Sequence, residues 1–415
     1  MHKPHAAWWC PLPVQRVAEM GSDMKTAQEF KIGSRGFDPD FVSDLRSATL
    51  APPETPLALP YRAFWDGQLF EVEVSELFAR DWILACREQE IPNPGDYRSI
   101  TIGGEPVVVV RGKDRALRAM SNVCRHRGTM IVEGYGAAQR LECPYHAWTY
   151  GLDGKLLGTP YHGNVAIDKE RNCLPTYQVD TWGGLVFVSM ADDVEPLSDR
   201  LRGLERLTER YVPSRYVPLF RRRGRDFEVA ANWKQVFENA MESYHLFKVH
   251  PKTLNDVVPT KGFVPAGGSH RWGASEGGKA LWTEPTGFDP PTVGQHECTH
   301  RVVVMIPPSM VALYDHLFLS YLVVDPVAID RTVIRATMFV PRELADNDWT
   351  DMMTRAEGFT TEDVEIVGKV AAGNRSRSRH LGQLVEMERI VGHFHNYLGL
   401  RFFGESHSGV SGAGG

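Results

Sequence analysis

The sequence contains no uninterrupted apolar run of the roughly 20 residues that a membrane-spanning helix needs. Basic residues are not in excess either, since 46 lysines and arginines face 52 aspartates and glutamates and the formal net charge is −6. We therefore expect no membrane and no nucleic acid among the binding partners. Cysteine is scarce, with six in 415 residues, which excludes a disulfide scaffold and favours a reducing, cytoplasmic location.

The N-terminus lacks the apolar core of a signal peptide. Residues before about Lys25 are typical of a poorly ordered leader, so Met1 and Met24 are both candidate start residues. Prolines are dense in the stretch APPETPLALP, and we expect residues 1–60 to form a partly disordered arm. The Gly/Ser-rich residues 406–415 are expected to form a flexible tail.

Two short segments each pair a cysteine with a histidine. NVCRHRG carries Cys124 and His126, and ECPYHAWTY carries Cys143 and His146. Thiolate and imidazole ligands together suit either zinc or an iron–sulfur cluster. A single residue separates Cys124 from His126, which is tighter than the usual spacing of structural zinc loops. A Rieske centre needs two cysteines on one iron and two histidines on the other, and these segments supply that set.

The two segments resemble the CxHRG and CPYHxW motifs of the large (alpha) subunits of Rieske non-heme iron oxygenases. The resemblance implies that the two cysteines and two histidines hold a [2Fe–2S] cluster. It also implies a second cofactor, a mononuclear Fe²⁺, in a separate catalytic domain.

The segment NWKQVFENAMESYHLFKVHP contains candidates for a second metal centre. His245 and His250 are five residues apart, or about 140° around a regular helix, so the backbone must bend for both to reach one ion. Pro251 disfavours helical geometry at His250 and supplies such a bend. Two histidines and a carboxylate form the facial triad of iron(II) oxygenases, and Glu242 lies three residues before His245.

This segment is also similar to the family pattern NWKxxxENxxExYHxxxxHP, which implies that His245 and His250 bind the mononuclear iron. The resemblance places Glu242 at an acidic bridge to a cluster histidine of a neighbouring subunit, and Asn239 beside the iron. The spacing from Asn239 to Glu242 is one residue shorter than in naphthalene-type dioxygenases. It points to the branch that contains choline, carnitine and betaine oxygenases.

The third iron ligand is expected in TTEDVEIVGKV, which resembles the family segment EDxxxVxxxQ. The resemblance implies Asp363 as the ligand, with Glu362 as the alternative. A local explanation competes, because Thr360 could cap a helix and place Asp363 in its first turn. The family's glutamine is absent, since Ala371 follows Val370.

We expect an α+β fold with two domains. Residues 61–195 are predicted to form a small antiparallel β Rieske domain, and residues 196–405 a catalytic domain whose antiparallel sheet is flanked by helices in a helix-grip (START-like) arrangement. Apolar runs between 301 and 340 predict four strands, and helices are expected near 343–356 and 360–373. The Gly- and Pro-rich stretch 252–300 predicts a long loop, either a substrate-entry lid or irregular packing.

The resemblance implies an oxygenase component that uses O₂ to hydroxylate or oxidatively demethylate a small organic substrate. Electrons would come from a separate NAD(P)H-dependent flavin/iron–sulfur reductase, directly or through a ferredoxin, because no glycine-rich nucleotide motif follows a predicted strand here. The family also implies a homotrimer. An aromatic-ring cis-dihydroxylating dioxygenase, a Rieske electron-transfer protein without oxygenase activity and a zinc-stabilised binding module are the alternatives.

Two substrate classes are open. A quaternary amine would need an aromatic cage. An aromatic acid would instead need a cation such as Arg301 to hold its carboxylate. The candidate cage residues are Trp233, Trp272, Trp282, Tyr314 and Phe318.

Overall fold

The computed structural model of the chain describes residues 32, 36–209, 211, 215–219, 225–255, 258–278, 300–315, 318–376 and 382–404. The predicted leader and tail, and Trp282 with the rest of 279–299, lie outside the described residues. Two compact units are present. The first comprises the described residues of Ala85–Val194, and the second those of Glu29–Leu84 and Glu195–Gly415.

The first unit is built from short β-strands. They are β1 (Ile83–Arg87), β2 (Asp96–Ile102), β3 (Glu105–Arg111), β4 (Leu117–Ser121), β5 (Tyr135–Ala137), β6 (Leu141–Glu142), β7 (Thr149–Tyr150), β8 (Leu156–Gly158), β9 (Thr176–Trp182) and β10 (Leu185–Ser189). A seven-stranded sheet has the order β1-β10-β9-β4-β3-β2-β5, and β6-β7-β8 form a small three-stranded sheet. The β2–β3 hairpin turns at Gly103-Gly104, where both residues adopt positive φ as a tight hairpin turn requires.

The second unit contains an eight-stranded sheet in the order β11-β18-β17-β16-β15-β14-β13, with β12 also paired to β18. Its strands are β11 (Tyr216–Pro218), β12 (Arg225–Val229), β13 (Phe263–Gly268), β14 (Gly273–Gly278), β15 (His300–Ile306), β16 (Met310–Tyr314), β17 (Leu319–Ala328) and β18 (Arg331–Pro341). The four strands predicted between 301 and 340 are confirmed. The prediction that 252–300 is one long loop is wrong at β13 and β14, whose glycines concealed their strand character.

Helices accompany this sheet. They are α1 (Pro39–Thr49), α2 (Gly67–Glu73), α3 (Leu197–Arg200), α4 (Glu205–Thr208), α5 (Trp233–Met241), α6 (Leu246–Val249), α7 (Thr350–Gly373) and α8 (Arg389–Phe403). Helix α5 lies on the central strands and contacts both α7 and α8. Among the described residues, no helix is both long enough and apolar enough to cross a membrane. The α+β prediction is confirmed.

A single helix, α7, replaces the two helices predicted near 343–356 and 360–373. Thr360 therefore lies inside the helix rather than at its start, and its hydroxyl donates a hydrogen bond to the Ala356 carbonyl at 2.8 Å. The suggestion that Thr360 caps a helix beginning near Asp363 is wrong. Asp363 therefore lies near the middle of α7.

Candidate metal centres and catalytic cavity

The two Cys/His loops of the first unit share one backbone geometry. In the first, the Cys124 N–H donates to the Thr129 carbonyl at 2.8 Å, and the Gly128 N–H donates back to the Cys124 carbonyl at 3.0 Å. The second loop repeats both bonds, from Cys143 to Trp148 at 2.9 Å and from Ala147 to Cys143 at 3.0 Å. The fourth residue after each cysteine has positive φ, 76° at Gly128 and 54° at Ala147. Each loop is thus a tight, hydrogen-bonded turn that fixes its cysteine at the base.

Both cysteines are 3% exposed and belong to the apolar core of the first unit. The Tyr150 hydroxyl lies 3.4 Å from the Cys124 sulfur and accepts the Arg125 N–H at 3.0 Å. Burial raises the pKa of the Cys124 thiol, and the hydrogen bond from Tyr150 partly offsets this. A buried thiolate needs a compensating cation or hydrogen bonds, and a metal at this point would supply the cation.

The rings of His126 and His146 contact each other edge to face. The His126 and His146 ring centroids are 4.7 Å apart, and Trp148 stacks on His126 at 4.8 Å. Tyr145 stacks on His146 at 3.7 Å but is half exposed, so of the two aromatic residues in the motif Trp148 is the buried one. The His146 Nδ1 atom is buried and has no hydrogen-bond partner in this part of the structure. A buried ring nitrogen without a partner fits the donor set that a Rieske iron requires.

In the second unit, His245, His250 and Asp363 converge. The Asp363 Oδ1 atom lies 3.0 Å from His250 Nε2 and 3.4 Å from His245 Nε2. One ligand atom from each of the three residues lies within 4.8 Å of the others, a grouping that could hold a metal ion. His250 is completely buried, whereas His245 and Asp363 are partly exposed, which leaves one side of the group open.

The Nδ1 atom of each histidine also contacts a glutamate carboxylate. The His250 Nδ1 atom lies 2.7 Å from Glu362 Oε2, which also accepts the Thr253 hydroxyl at 2.5 Å. The His245 Nδ1 atom is hydrogen-bonded to Glu242 in the same way. A histidine that donates its Nδ1 proton to a carboxylate presents an unprotonated Nε2, the form that binds a metal. From the sequence, Glu362 was predicted only as an alternative ligand to Asp363. Its contact with His250 Nδ1 was not predicted.

The histidines and carboxylates of this site shift one another's pKa values. Burial alone would lower the pKa of His245, but the Asp363 and Glu242 carboxylates raise it to about 10. Burial likewise opposes protonation of His250, and Asp363 with Glu362 nevertheless raises its pKa. The two histidines hold the pKa of Asp363 below its usual value against the effect of burial. The carboxylates that favour a positive charge on these imidazoles would also favour a divalent cation bound by the same three residues.

The bend that brings the histidines together lies before His245. Helix α5 ends at Met241, and Glu242 adopts an extended conformation with φ −102° and ψ 162°. The Glu242 carboxylate accepts the backbone N–H groups of Tyr244 and His245, so it closes this turn while also contacting the His245 ring. The three-residue spacing of Glu242 and His245 predicted that both lie on one face of a helix, and this is wrong, because α5 ends at Met241 and a turn closed by Glu242 precedes His245.

A cavity of about 220 Å³ opens beside these groups. Asn239, Glu242, His245, His250 and Asp363 all line it, as predicted for residues next to an iron. Most of its wall is apolar and comes from strands and helices distant in sequence: Phe227, Val236, Val303, Val311, Leu313, Phe318, Leu322, Ile334, Ala336, Met338, Met352 and Phe359. Ser320 and Thr337 add hydroxyl groups to the wall.

Most of the proposed substrate contacts lie elsewhere. Among the cage candidates within the described residues, Phe318 lines the cavity, whereas Trp233 packs against Phe78 and Phe394, and Trp272 donates to the Arg202 carbonyl. The Arg301 guanidinium is buried and paired with Asp315. The suggestion that Arg301 holds a substrate carboxylate is not supported by this placement, because its charge is already neutralised.

Each of the two units contains a match to a known protein family. The "Rieske [2Fe-2S] domain" family covers residues 81–178, and the "Ring hydroxylating alpha subunit (catalytic domain)" family covers residues 214–401. The carnitine monooxygenase oxygenase subunit of Escherichia coli K12 is 30% identical over 387 residues, which is 87% of this chain and 97% of that protein. The glycine betaine monooxygenase oxygenase subunit of Pseudomonas aeruginosa is 37% identical over 202 residues, 48% of this chain and 46% of that protein.

Solved structures agree. A quaternary ammonium Rieske monooxygenase in complex with L-carnitine superposes with a TM-score of 0.73 at 26% identity, covering 86% of this chain and 98% of that one. Naphthalene 1,2-dioxygenase shares the fold, with a TM-score of 0.70 at 18% identity.

The chain therefore belongs to the family of Rieske ring-hydroxylating oxygenases, whose cofactors are a [2Fe–2S] cluster and a mononuclear iron. Within that family it is similar to the carnitine and glycine betaine monooxygenase oxygenase subunits, the branch that the Asn239–Glu242 spacing predicted. The prediction of an oxygenase is confirmed, in preference to a Rieske electron-transfer protein without oxygenase activity or a zinc-stabilised binding module. The donor sets described above fit both cofactors.

Proposed function

We propose that the chain hydroxylates or oxidatively demethylates a small organic substrate held in the apolar cavity. The observation that carries this proposal is the convergence of His245, His250 and Asp363 at the cavity wall, with each histidine Nε2 directed at Asp363 and each Nδ1 at a glutamate. Such a site binds iron through three protein groups and leaves positions open toward the cavity. When bound, the iron supplies the oxygen-activating chemistry.

The residue roles follow from this arrangement. Cys124, His126, Cys143 and His146 would hold the cluster, and His245, His250 and Asp363 the mononuclear iron. Asn239 lines the cavity and would contact the substrate or a ligand of the iron. The apolar walls exclude bulk water from the reacting C–H bond, which protects a reactive oxidant from unproductive side reactions.

Glu242 is proposed as the bridge between centres of neighbouring subunits in a homotrimer. Its contact to His245 within the chain supports one half of this bridge. Exposed aromatic side chains flank it, with Tyr244 at 42% and Phe247 at 51% exposure, a composition favoured at subunit interfaces. The tyrosine that stacks on His146, Tyr145, is also exposed and would lie at the corresponding surface of the cluster-bearing unit.

Electrons are proposed to come from a separate NAD(P)H-dependent reductase, directly or through a ferredoxin. The relatives named above are oxygenase subunits, which supports a separate protein as the reductase. A cytoplasmic location stays a prediction from the sequence. So do the domain boundaries 61–195 and 196–405, which contain the two family matches.

The substrate is proposed to be a quaternary amine or an aromatic acid. The names of the relatives support the amine. The walls favour any substrate whose reacting end is apolar, and phenylalanines such as Phe227, Phe318 and Phe359 can contact either a trimethylammonium group or an aromatic ring. Oxygen uptake with a surrogate reductase would be measured for both classes. Formaldehyde release would identify demethylation, and isotopic O₂ would label a hydroxylated product.

The bridge is tested with Glu242→Gln. This variant keeps the shape of the side chain but removes its charge, so we expect an unchanged cluster spectrum and loss of most turnover. Glu228→Gln, which neutralises an exposed carboxylate on β12, is the matched control and should retain activity. Full activity of Glu242→Gln would remove the bridge role.

A further inference from the structure

We propose that His395 is a positioning residue: it shares a proton with Glu238 and so keeps an uncompensated negative charge away from Glu242. The pair lies in the second unit, with Glu238 in the C-terminal half of α5 and His395 near the middle of α8. This inference rests on the proposed function, because Glu242 is the residue proposed to bridge the two iron centres. Neither His395 nor Glu238 is among the proposed iron ligands or the residues that line the catalytic cavity.

The hydrogen bonds of the His395 ring show that the pair holds an extra proton. Its Nδ1 atom lies 3.0 Å from the Leu57 carbonyl oxygen, and because a carbonyl can only accept, Nδ1 carries a proton. Its Nε2 atom lies 3.0 Å from Glu238 Oε1, and a hydrogen bond there needs a second proton, on either the ring or the carboxyl group. In both cases the net charge of the pair is zero.

Glu238 depends on His395 for this neutrality. His395 is 1% exposed, and a charge in such surroundings is costly unless it is paired. Lys234 lies on the same helix, but its ammonium is paired with Glu73 at 2.6 Å. Within the part of the chain that the structure describes, Glu238 forms no ion pair other than the one with His395. Without the shared proton, Glu238 would therefore be an uncompensated anion.

Two further carboxylates lie near Glu238. Glu242 follows it by four residues, which corresponds to roughly 6 Å of rise along a helix. Burial raises the pKa of Glu388, and the charges of Glu242 and Glu238 raise it further, so Glu388 lies close enough to interact with both. Like charges at such distances repel each other. A negative Glu238 would therefore oppose the placement of the Glu242 carboxylate against His245.

Three variants separate this charge effect from loss of packing. His395→Gln removes the ring and the shared proton and leaves Glu238 negative. Glu238→Gln keeps the pair neutral, since the new amide can donate to Nε2 of an uncharged His395. The double variant His395→Gln/Glu238→Gln lacks the ring and its bond to the Leu57 carbonyl, as His395→Gln does, but it is neutral. It is the matched control for the structural consequences of losing the ring.

The experiment follows reoxidation of the reduced cluster by its visible absorbance in full-length enzyme loaded with both centres. The enzyme is mixed with O₂ and with L-carnitine, glycine betaine and benzoate as probes of both proposed substrate classes. We expect reoxidation to be about tenfold slower in His395→Gln, and within about threefold of wild type in Glu238→Gln and in the double variant. The melting temperature of the double variant should exceed that of His395→Gln, because no unpaired carboxylate remains.

The positioning role is overturned if His395→Gln reoxidises its cluster as fast as wild type, or if Glu238→Gln or the double variant is as slow as His395→Gln. The melting temperatures do not depend on oxygenase activity. A double variant no more stable than His395→Gln would therefore overturn the shared proton by itself. If the wild-type cluster reoxidises no faster with the mononuclear iron than without it, the proposed function fails and the positioning role fails with it.

Discussion

The carboxylate behind His250 offers a direct test of how this chain prepares an iron ligand. Glu362→Gln keeps the size of the side chain and removes the charge that accepts the His250 Nδ1 proton at 2.7 Å. A hydrogen bond to a charged group contributes about 1.5–3 kcal/mol, which corresponds to roughly 10- to 100-fold in a binding constant. Outer carboxylates of histidine–metal sites have effects of the same size. We therefore expect the affinity for Fe²⁺ to fall by about 10- to 100-fold.

The assay is titration of the mononuclear site with Fe²⁺ in protein that retains its cluster. The visible spectrum of the cluster should not change, because Glu362 is not among the residues proposed to hold the cluster. Thr253→Val removes a neutral donor to the same carboxylate and should have a smaller effect. Glu365→Gln, three residues further along α7 and exposed, is the control. Equal iron affinity in Glu362→Gln and Glu365→Gln would show that the Glu362 carboxylate does not prepare His250 to bind iron.

Two further predictions concern stability. Lys234 and Glu73 form a fully buried ion pair at 2.6 Å, so Lys234→Met, which leaves Glu73 unpaired, should lower the free energy of unfolding by about 3–5 kcal/mol in chemical denaturation. Adding Glu73→Gln should restore much of that loss, and no restoration would show that the pair is not the cause. Burial lowers the pKa of His393 to about 4, so the unfolded chain binds a proton more readily than the folded chain below pH 6.5. Stability should decline as the pH falls from 6.5 toward 4, by up to roughly 3 kcal/mol from this residue, and the decline should be shallower in His393→Gln.

The cluster site was accessible to sequence reasoning because each half is local. Cys124 with His126, and Cys143 with His146, lie within single turns, so spacing alone constrains their geometry. The equivalence of Gly128 and Ala147 was not visible, since an alanine gives no sign that it will adopt positive φ. The backbone hydrogen bonds of the second loop impose that conformation.

The iron site was only partly accessible. His245 and His250 are close in sequence, but Asp363 lies more than a hundred residues away, and only resemblance to a family pattern linked it to them. Glu362 can contact His250 only if its side of α7 faces the two histidines. The sequence predicted two separate helices in place of α7, so it did not show which side of α7 faces them.

The cavity walls were the least predictable part of the molecule. Residues such as Phe227, Ile334 and Met352 are apolar and, in sequence, resemble any other core residue. Tertiary packing alone decides which of them face a cavity. The same ambiguity led Trp233 and Arg301 to be considered as substrate contacts, whereas each is committed to a buried partner, Glu73 and Asp315 respectively.

The presence of two different iron centres in one chain is tested most directly by counting iron and acid-labile sulfide in anaerobically reconstituted protein. A chain that holds both centres contains about three irons and about two sulfides, and its spectrum is that of a histidine-ligated cluster. Asp363→Ala should lower the iron count by about one without changing the sulfide. Colourless protein, or wild-type protein with two irons or fewer per chain, would show that the chain does not hold both centres.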